Sequence, residues 1–216
     1  MPYACDNILT MNTQGIDQIV SSSERILIPK GPHHRHCLML FEKIFSISVP
    51  VFPNRALRAF SGGREFIAVR GWDIPMLLNE GYGDIGLGHT DAFMEQIPNG
   101  SMVKYTLLGT SHLKFCILIP IKRRQEILER LYSINSEPLM VVTAYPSILK
   151  KHLEQQNTPL NIVISHIIPS GSVEAMVGLG VADIAADVVD SGATAAANHL
   201  EVIHLEDVWP ALIYRQ

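Results

Sequence analysis

An α/β fold with largely parallel sheets is predicted by two observations. Short apolar runs bounded by Gly, Pro and polar residues alternate with amphipathic segments along nearly the whole chain. No internal repeat, low-complexity tract or heptad run interrupts that alternation. At 216 residues the chain is long enough for one large domain or two small ones, each with a buried core.

The elements follow in order. Residues 1–24 are polar, with SSSE before the first apolar run, and read as a loose extension. Residues 25–29 read as a strand and Lys30-Gly31-Pro32 as a turn, with Pro32 suited to the first position of a helix. In residues 33–45, Cys37, Leu38, Leu40, Phe41, Ile44 and Phe45 recur close to helical period. Residues 65–70 form a short strand. A helix over 73–80 takes Asp73 as N-cap, Pro75 in its first turn and Gly81 at its stop. Strand 84–87 and a short helix over 91–96 come next. LKFCILIP at 113–120 is a buried strand, and 122–132 is a charged amphipathic helix. Strand 139–143, helix 147–156, strand 161–168 and a short helix over 173–179 lead to a last strand–turn–helix, and strands at 201–205 and 208–214 close the chain.

Composition excludes several classes. The formal net charge is −4 and no basic run occurs, so nucleic acid is not an expected partner. No apolar stretch is long enough to span a membrane, and the N-terminus has no basic-then-apolar signal pattern. The three cysteines, Cys5, Cys37 and Cys116, are odd in number and widely spaced; the latter two lie among apolar residues and read as reduced core thiols. These features together predict a soluble cytoplasmic protein. His33, His34 and His36 lack the i, i+4 spacing of a helical metal site.

The richest segment is VADIAADVVDSGATAAANHL at 181–200: a buried strand, a turn with Asp187, Asp190, Ser191, Gly192 and Thr194, and the start of an Ala-rich helix. Gly192 lets the backbone turn tightly, and small residues on either side admit a ligand. The first N–H groups of a helix lack intrahelical partners and favour an anion. Ser191 and Thr194 add hydroxyl donors, and two carboxylates suit ribose hydroxyls or a magnesium ion. These parts together fit a 5-phosphoribosyl group. A plainer reading stands beside it, in which Ser191 is only a helix N-cap and Gly192 only a turn residue.

Further blocks accompany that turn. ILIPKG stands at 26–31, VRGWDIP at 69–75, GYGDIGLGHTD at 81–91, VTAYP at 142–146, and GSVE at 171–174 with GLGVAD at 178–183. Six blocks in one order and at family-like spacing, covering residue 25 to about 214, resemble the ATP phosphoribosyltransferase (HisG) family in its short form. The resemblance implies a two-lobed, periplasmic-binding-protein-like (type II) fold with mixed, largely parallel sheets and a cleft between the lobes. The implied divisions are a 1–24 extension, lobe 1 over 25–106, lobe 2 with the phosphoribosyl-diphosphate (PRPP) loop over 107–198, and a return to lobe 1 over 199–216.

The implied reaction is ATP plus PRPP giving N1-(5-phosphoribosyl)-ATP and pyrophosphate, the first step of histidine biosynthesis, with Mg²⁺ carried by PRPP near Asp187. Asp187, Asp190, Ser191, Gly192, Ala193 and Thr194 are the implied PRPP-binding residues. Lys30, Arg70 and Arg55 are the implied catalytic cations; Arg58 is an equal match for the last. Glu174, Asp91 and Gly88 are the implied nucleophile-binding residues. The chain's length matches catalytic subunits without a regulatory domain, so a homodimer is expected, or a hetero-oligomer with a regulatory subunit similar to histidyl-tRNA synthetase.

The chain also departs from the family pattern. Pro32 stands for Arg, Thr90 for Lys and Ala144 for Lys, which removes three positive charges; Ala175-Met176 and Ala195 also differ. Two rival readings follow. One is a paralogue that transfers phosphoribosyl to another heterocycle or small acceptor. The other is a non-catalytic small-molecule binding protein on the same fold.

Overall fold

The computed structural model describes residues 13–31, 35–110, 113–133, 135–155, 160–167, 169 and 171–216. The chain divides into two compact units: Met1–Ser111 with Trp209–Gln216, and His112–Val208.

The first unit is built on a six-stranded sheet. Its strands are β1 (Arg25–Lys30), β2 (Arg58–Ser61), β3 (Arg64–Arg70), β4 (Ile85–His89), β5 (Val103–Leu107) and β11 (Pro210–Arg215), in the order β2-β3-β1-β4-β11-β5. β3, β1 and β4 run parallel, and β2, β11 and their neighbours pair antiparallel. The central strands are apolar throughout because both faces of the sheet are covered. Ile26 and Ile28 of β1 pack on one face with Phe41, Phe66 and Leu212; Leu27 points to the other face, with Ile74, Leu78 and Ile213. The first face carries α1 (Thr13–Ser22) and α2 (Arg35–Phe45), and the second carries α3 (Ile74–Asn79). α4 (Thr90–Gln96) follows β4 directly.

The second unit holds a five-stranded sheet of β6 (Leu113–Pro120), β7 (Leu139–Thr143), β8 (Ile162–Ile164), β9 (Ile184–Val189) and β10 (Leu200–Val208), in the order β10-β6-β9-β7-β8. β8, β7 and β9 are parallel; β6 runs against β9, and β10 against β6. The connecting helices are α5 (Arg124–Leu131), α6 (Pro146–Gln155), α7 (Val173–Gly178) and α8 (Ala193–Ala197). An ion-pair network fixes α5 and the turn before it. Arg123 pairs with both Glu126 and Asp183, Arg130 reaches Glu126, and Asp183 also accepts the Met140 N–H at 3.0 Å.

Several sequence expectations are corrected. Residues 13–22 form α1 instead of a loose stretch, because Ile16, Ile19 and Val20 lie on one helical face and pack into the core; residues 1–12 lie outside the described residues. The third helix starts at Ile74 after a 3₁₀ turn at Gly71–Asp73, and Asp73 makes no side-chain capping bond. The strand expected over 161–168 is confined to Ile162–Ile164, where it pairs with β7. The chain re-enters the first unit at Trp209, beyond the expected 199, because β10 stays paired with β6 from Leu200 to Val208 apart from a bulge between His204 and Glu206. His33 and His34, at the expected helix start, lie outside the described residues.

Candidate functional site

In each unit the singled-out residues gather where parallel strands end, the edge at which open α/β sheets bind ligands. In the second unit that edge carries the end of β9 and the turn into α8. Asp187 is held by its own backbone: Oδ1 accepts the Val188 N–H at 2.8 Å. Asp190, Ser191, Ala193 and Thr194 are exposed, whereas Ala195 is buried with Val173 and Leu200 and anchors the short helix. Gly192 has φ +75°, a left-handed conformation that favours glycine. A Cβ added there would meet no atom closer than Val189 Cγ1 at 4.0 Å. The turn is therefore anchored on its core side and open on its solvent side.

Both sequence readings of this turn find a counterpart. Ser191 Oγ accepts the Ala193 N–H at 3.3 Å, so its hydroxyl does engage the helix start. The next N–H groups, of Thr194 and Ala195, have no acceptor a turn earlier within the helix. The plainer reading accounts for Ser191 Oγ and for the glycine.

Glu174 lies in the first turn of α7, after Gly171 at φ 143° and Ser172 at φ 55°. α7 follows β8 and precedes β9 in a parallel arrangement, so its N-terminal turn stands at the same sheet edge as residues 187–194. Ala144 follows β7 at that edge. Thr143 beside it is buried, and its Oγ1 accepts the Tyr145 N–H at 2.9 Å.

In the first unit, Lys30 and Arg70 are register partners at the last residues of β1 and β3. Neither side chain has a hydrogen-bond or ion-pair partner among the described residues. Lys30 and Arg55 line one concavity of about 650 Å³, whose wall is otherwise largely apolar: Leu38, Val49, Val51, Phe52 and Leu57. Arg55 sits in a tight turn closed by the Ala56 N–H donating to Pro53 C=O at 2.7 Å, with Asn54 and Arg55 both at positive φ, 44° and 63°. Non-glycine residues adopt that conformation at a cost, and such strain concentrates at functional positions. Arg58 differs: it belongs to β2 and pairs with Glu65 at 3.3 Å. The concavity's apolar wall escaped sequence reading. Its signal is the irregular, proline-punctuated stretch SISVPVFPNRAL at 46–57, too long for a simple connection.

Gly88 and Asp91 flank the end of β4. Gly88 is buried, and its carbonyl accepts from the Cys37 thiol at 3.3 Å. Burial pushes the Cys37 thiol up to about 12, and likewise Cys116 up to about 11. Both are buried free thiols, as expected; Cys5 lies outside the described residues. Thr90 is 3% exposed and its hydroxyl is bonded to the main chain, so the position is committed to the interior. Among the described residues no group of three His, Cys, Asp or Glu side chains forms a metal site. Asp187 and Asp190 bring two carboxylates to the 187–194 turn, a donor chemistry that suits a divalent ion completed by phosphate and water ligands.

Two mixed α/β sheets in separate units, with an open glycine turn at a strand's carboxyl end, define a type II periplasmic-binding-protein-like fold. The alkanesulfonate-binding protein SsuA from Xanthomonas axonopodis pv. citri superposes with a TM-score of 0.52 at 14% identity, over 89% of this chain and 65% of that one. An ATP phosphoribosyl transferase (HisG:HisZ) complex from Thermotoga maritima superposes with a TM-score of 0.65 at 20% identity, over 89% and 87%. The chain belongs to the ATP phosphoribosyltransferase (HisG) family, whose model matches residues 70–213. The ATP phosphoribosyltransferase of Pyrococcus furiosus is 29% identical over 191 residues, 88% of this chain and 86% of the relative.

Proposed function

We propose that this chain is the catalytic subunit of an ATP phosphoribosyltransferase, joining N1 of ATP to the anomeric carbon of PRPP with release of pyrophosphate, the first step of histidine biosynthesis. The observation that carries the reading is the open, glycine-based turn at residues 187–194 in a chain of this family. The C–O bond to pyrophosphate breaks as the C–N bond forms, and its electron pair leaves with pyrophosphate. Positive charge builds on the ribose and negative charge on the leaving group, so catalysis rests on positioning and on fixed charges.

The main-chain N–H groups of Gly192 and Thr194, with the Ser191 and Thr194 hydroxyls, hold the 5-phosphate. Asp187 and Asp190 take the ribose hydroxyls. Asp187 would hold a divalent ion, which we assign as Mg²⁺, whose charge would offset that of the diphosphate. Lys30, Arg55 and Arg70 supply positive charge to the phosphates. Arg55 is preferred to Arg58 because Arg58 is already paired with Glu65. The apolar wall beside Lys30 and Arg55 suits a flat purine. Gly88 and Asp91 in the first unit, and Glu174 in the second, are the residues we further assign to the nucleophile.

A hetero-oligomer with a histidyl-tRNA-synthetase-like regulatory subunit fits this role; the Thermotoga maritima neighbour is itself a HisG:HisZ complex. A homodimer is the simpler assembly. Cytoplasmic residence is part of the same proposal, and among the described residues no helix is long and apolar enough to cross a membrane. The test is product analysis by mass spectrometry after incubation with PRPP, Mg²⁺ and a panel of nucleotides. A product of ATP plus one phosphoribosyl group, matched by pyrophosphate, is expected. ATP-independent or absent pyrophosphate release would refute the reading.

A further inference from the structure

We infer that Thr90 is a positioning residue for the nucleophile-binding end of β4, an inference that rests on the reading of Gly88 and Asp91 given above. His89 and Pro210 are the last register partners of the antiparallel pair β4–β11. That pair is a non-hydrogen-bonded one: the main chain of Pro210 faces β5, so its lack of an N–H costs the β4–β11 ladder nothing. The next pair is Thr90 and Trp209. The Thr90 N–H donates to the Trp209 carbonyl at 2.9 Å. A regular ladder would return the second bond from the Trp209 N–H to the Thr90 carbonyl. That carbonyl belongs to the first turn of α4, and the Thr90 hydroxyl takes its place, accepting the Trp209 N–H at 3.0 Å.

One side chain thus extends the ladder past the end of the strand and fixes the turn from Gly88 to Asp91 against the start of β11. The start of β11 is held in turn from β5, where the Leu108 N–H donates to the Pro210 carbonyl at 2.9 Å. Cys37 holds the other end of the turn through the Gly88 carbonyl. Thr90 is 3% exposed, so a long cationic side chain has no route to solvent without breaking this arrangement. The lysine of the family pattern is therefore replaced by a buried hydroxyl that orients its neighbours, not by a weaker ligand for phosphate.

The test compares Thr90→Val, which keeps the shape and loses the acceptor, Thr90→Ala, which loses it without crowding, and Thr90→Ser, which keeps it. KM for ATP, KM for PRPP and kcat are measured on folded protein, with ATP binding to the wild type measured by calorimetry. Val and Ala are expected to raise KM for ATP about tenfold, the loss of one well-made hydrogen bond's worth of alignment, with KM for PRPP within about twofold, and Ser is expected to restore the wild-type value. Unchanged KM values with a kcat loss that tracks the folded fraction would overturn the inference while leaving the activity standing. So would equal rises in both KM values, or folding of the Ser variant alone. Absence of ATP binding by the wild type would overturn both the inference and the nucleophile-site reading.

Discussion

Gly192→Asn separates the backbone requirement of the 187–194 turn from its ligand requirement. Gly192 sits at φ +75°, ψ 3°, a region costing most L-residues about 1–2 kcal/mol, but one that asparagine visits readily. A Cβ there meets nothing closer than 4.0 Å within the chain. The folded state should therefore lose well under 1 kcal/mol, which for a chain of this size shifts Tm by about 2–3 °C at most. The new side chain instead fills the space over the main-chain N–H groups. Hydrogen bonds to a charged phosphate are worth about 1.5–3 kcal/mol each. Losing two costs about 3–6 kcal/mol, or more than a hundredfold in Kd. Calorimetric titration with PRPP and Mg²⁺, beside a thermal melt, reads both quantities. A folded variant with unchanged PRPP affinity would show that this turn does not hold the phosphate.

Two further outcomes are expected. Arg55→Ala should lower kcat/KM about 10–100-fold, the worth of one charge-assisted contact, whereas Arg58→Ala removes only the exposed pair with Glu65 and should cost about 0–1 kcal/mol of stability with little change in rate; the opposite ranking in steady-state assays would transfer the role to Arg58. Hydrogen bonding to Arg123, reinforced by Arg130, holds the Glu126 carboxyl down to about 2 from its ordinary 4.5. Its folded-state pKa is depressed, so the stability it contributes is present above the ordinary value and is lost as pH falls towards 2. Acid denaturation curves for Glu126→Gln should be flatter than wild type across that window, and parallel curves would show the network to be inert.

The sequence carried the central strands because their neighbours on both faces force them to be apolar: Ile26 to Ile28 serve two cores at once. The elements it missed are those whose pattern depends on distant partners. β2 and β5 are the edge strands of the six-stranded sheet, and α1 hides its apolar face, Ile16, Ile19 and Val20, among polar residues. The turn at 187–194 was legible because its chemistry is local, from the carboxylates to the glycine and the hydroxyls. The difference in setting between Arg55 and Arg58 was not, since Arg58 pairs with Glu65 across a hairpin. Nor was the role of Thr90, whose partner Trp209 lies 119 residues further along the chain.

The central claim is that residues 187–194 hold the phosphoribosyl group. A crystal structure of the chain with PRPP and Mg²⁺ tests it most directly. The 5-phosphate oxygens are expected about 2.7–3.2 Å from the N–H groups of Gly192 and Thr194 and the hydroxyls of Ser191 and Thr194, with the ribose hydroxyls beside Asp187 and Asp190. A phosphate bound elsewhere, with this turn facing only solvent, would contradict it.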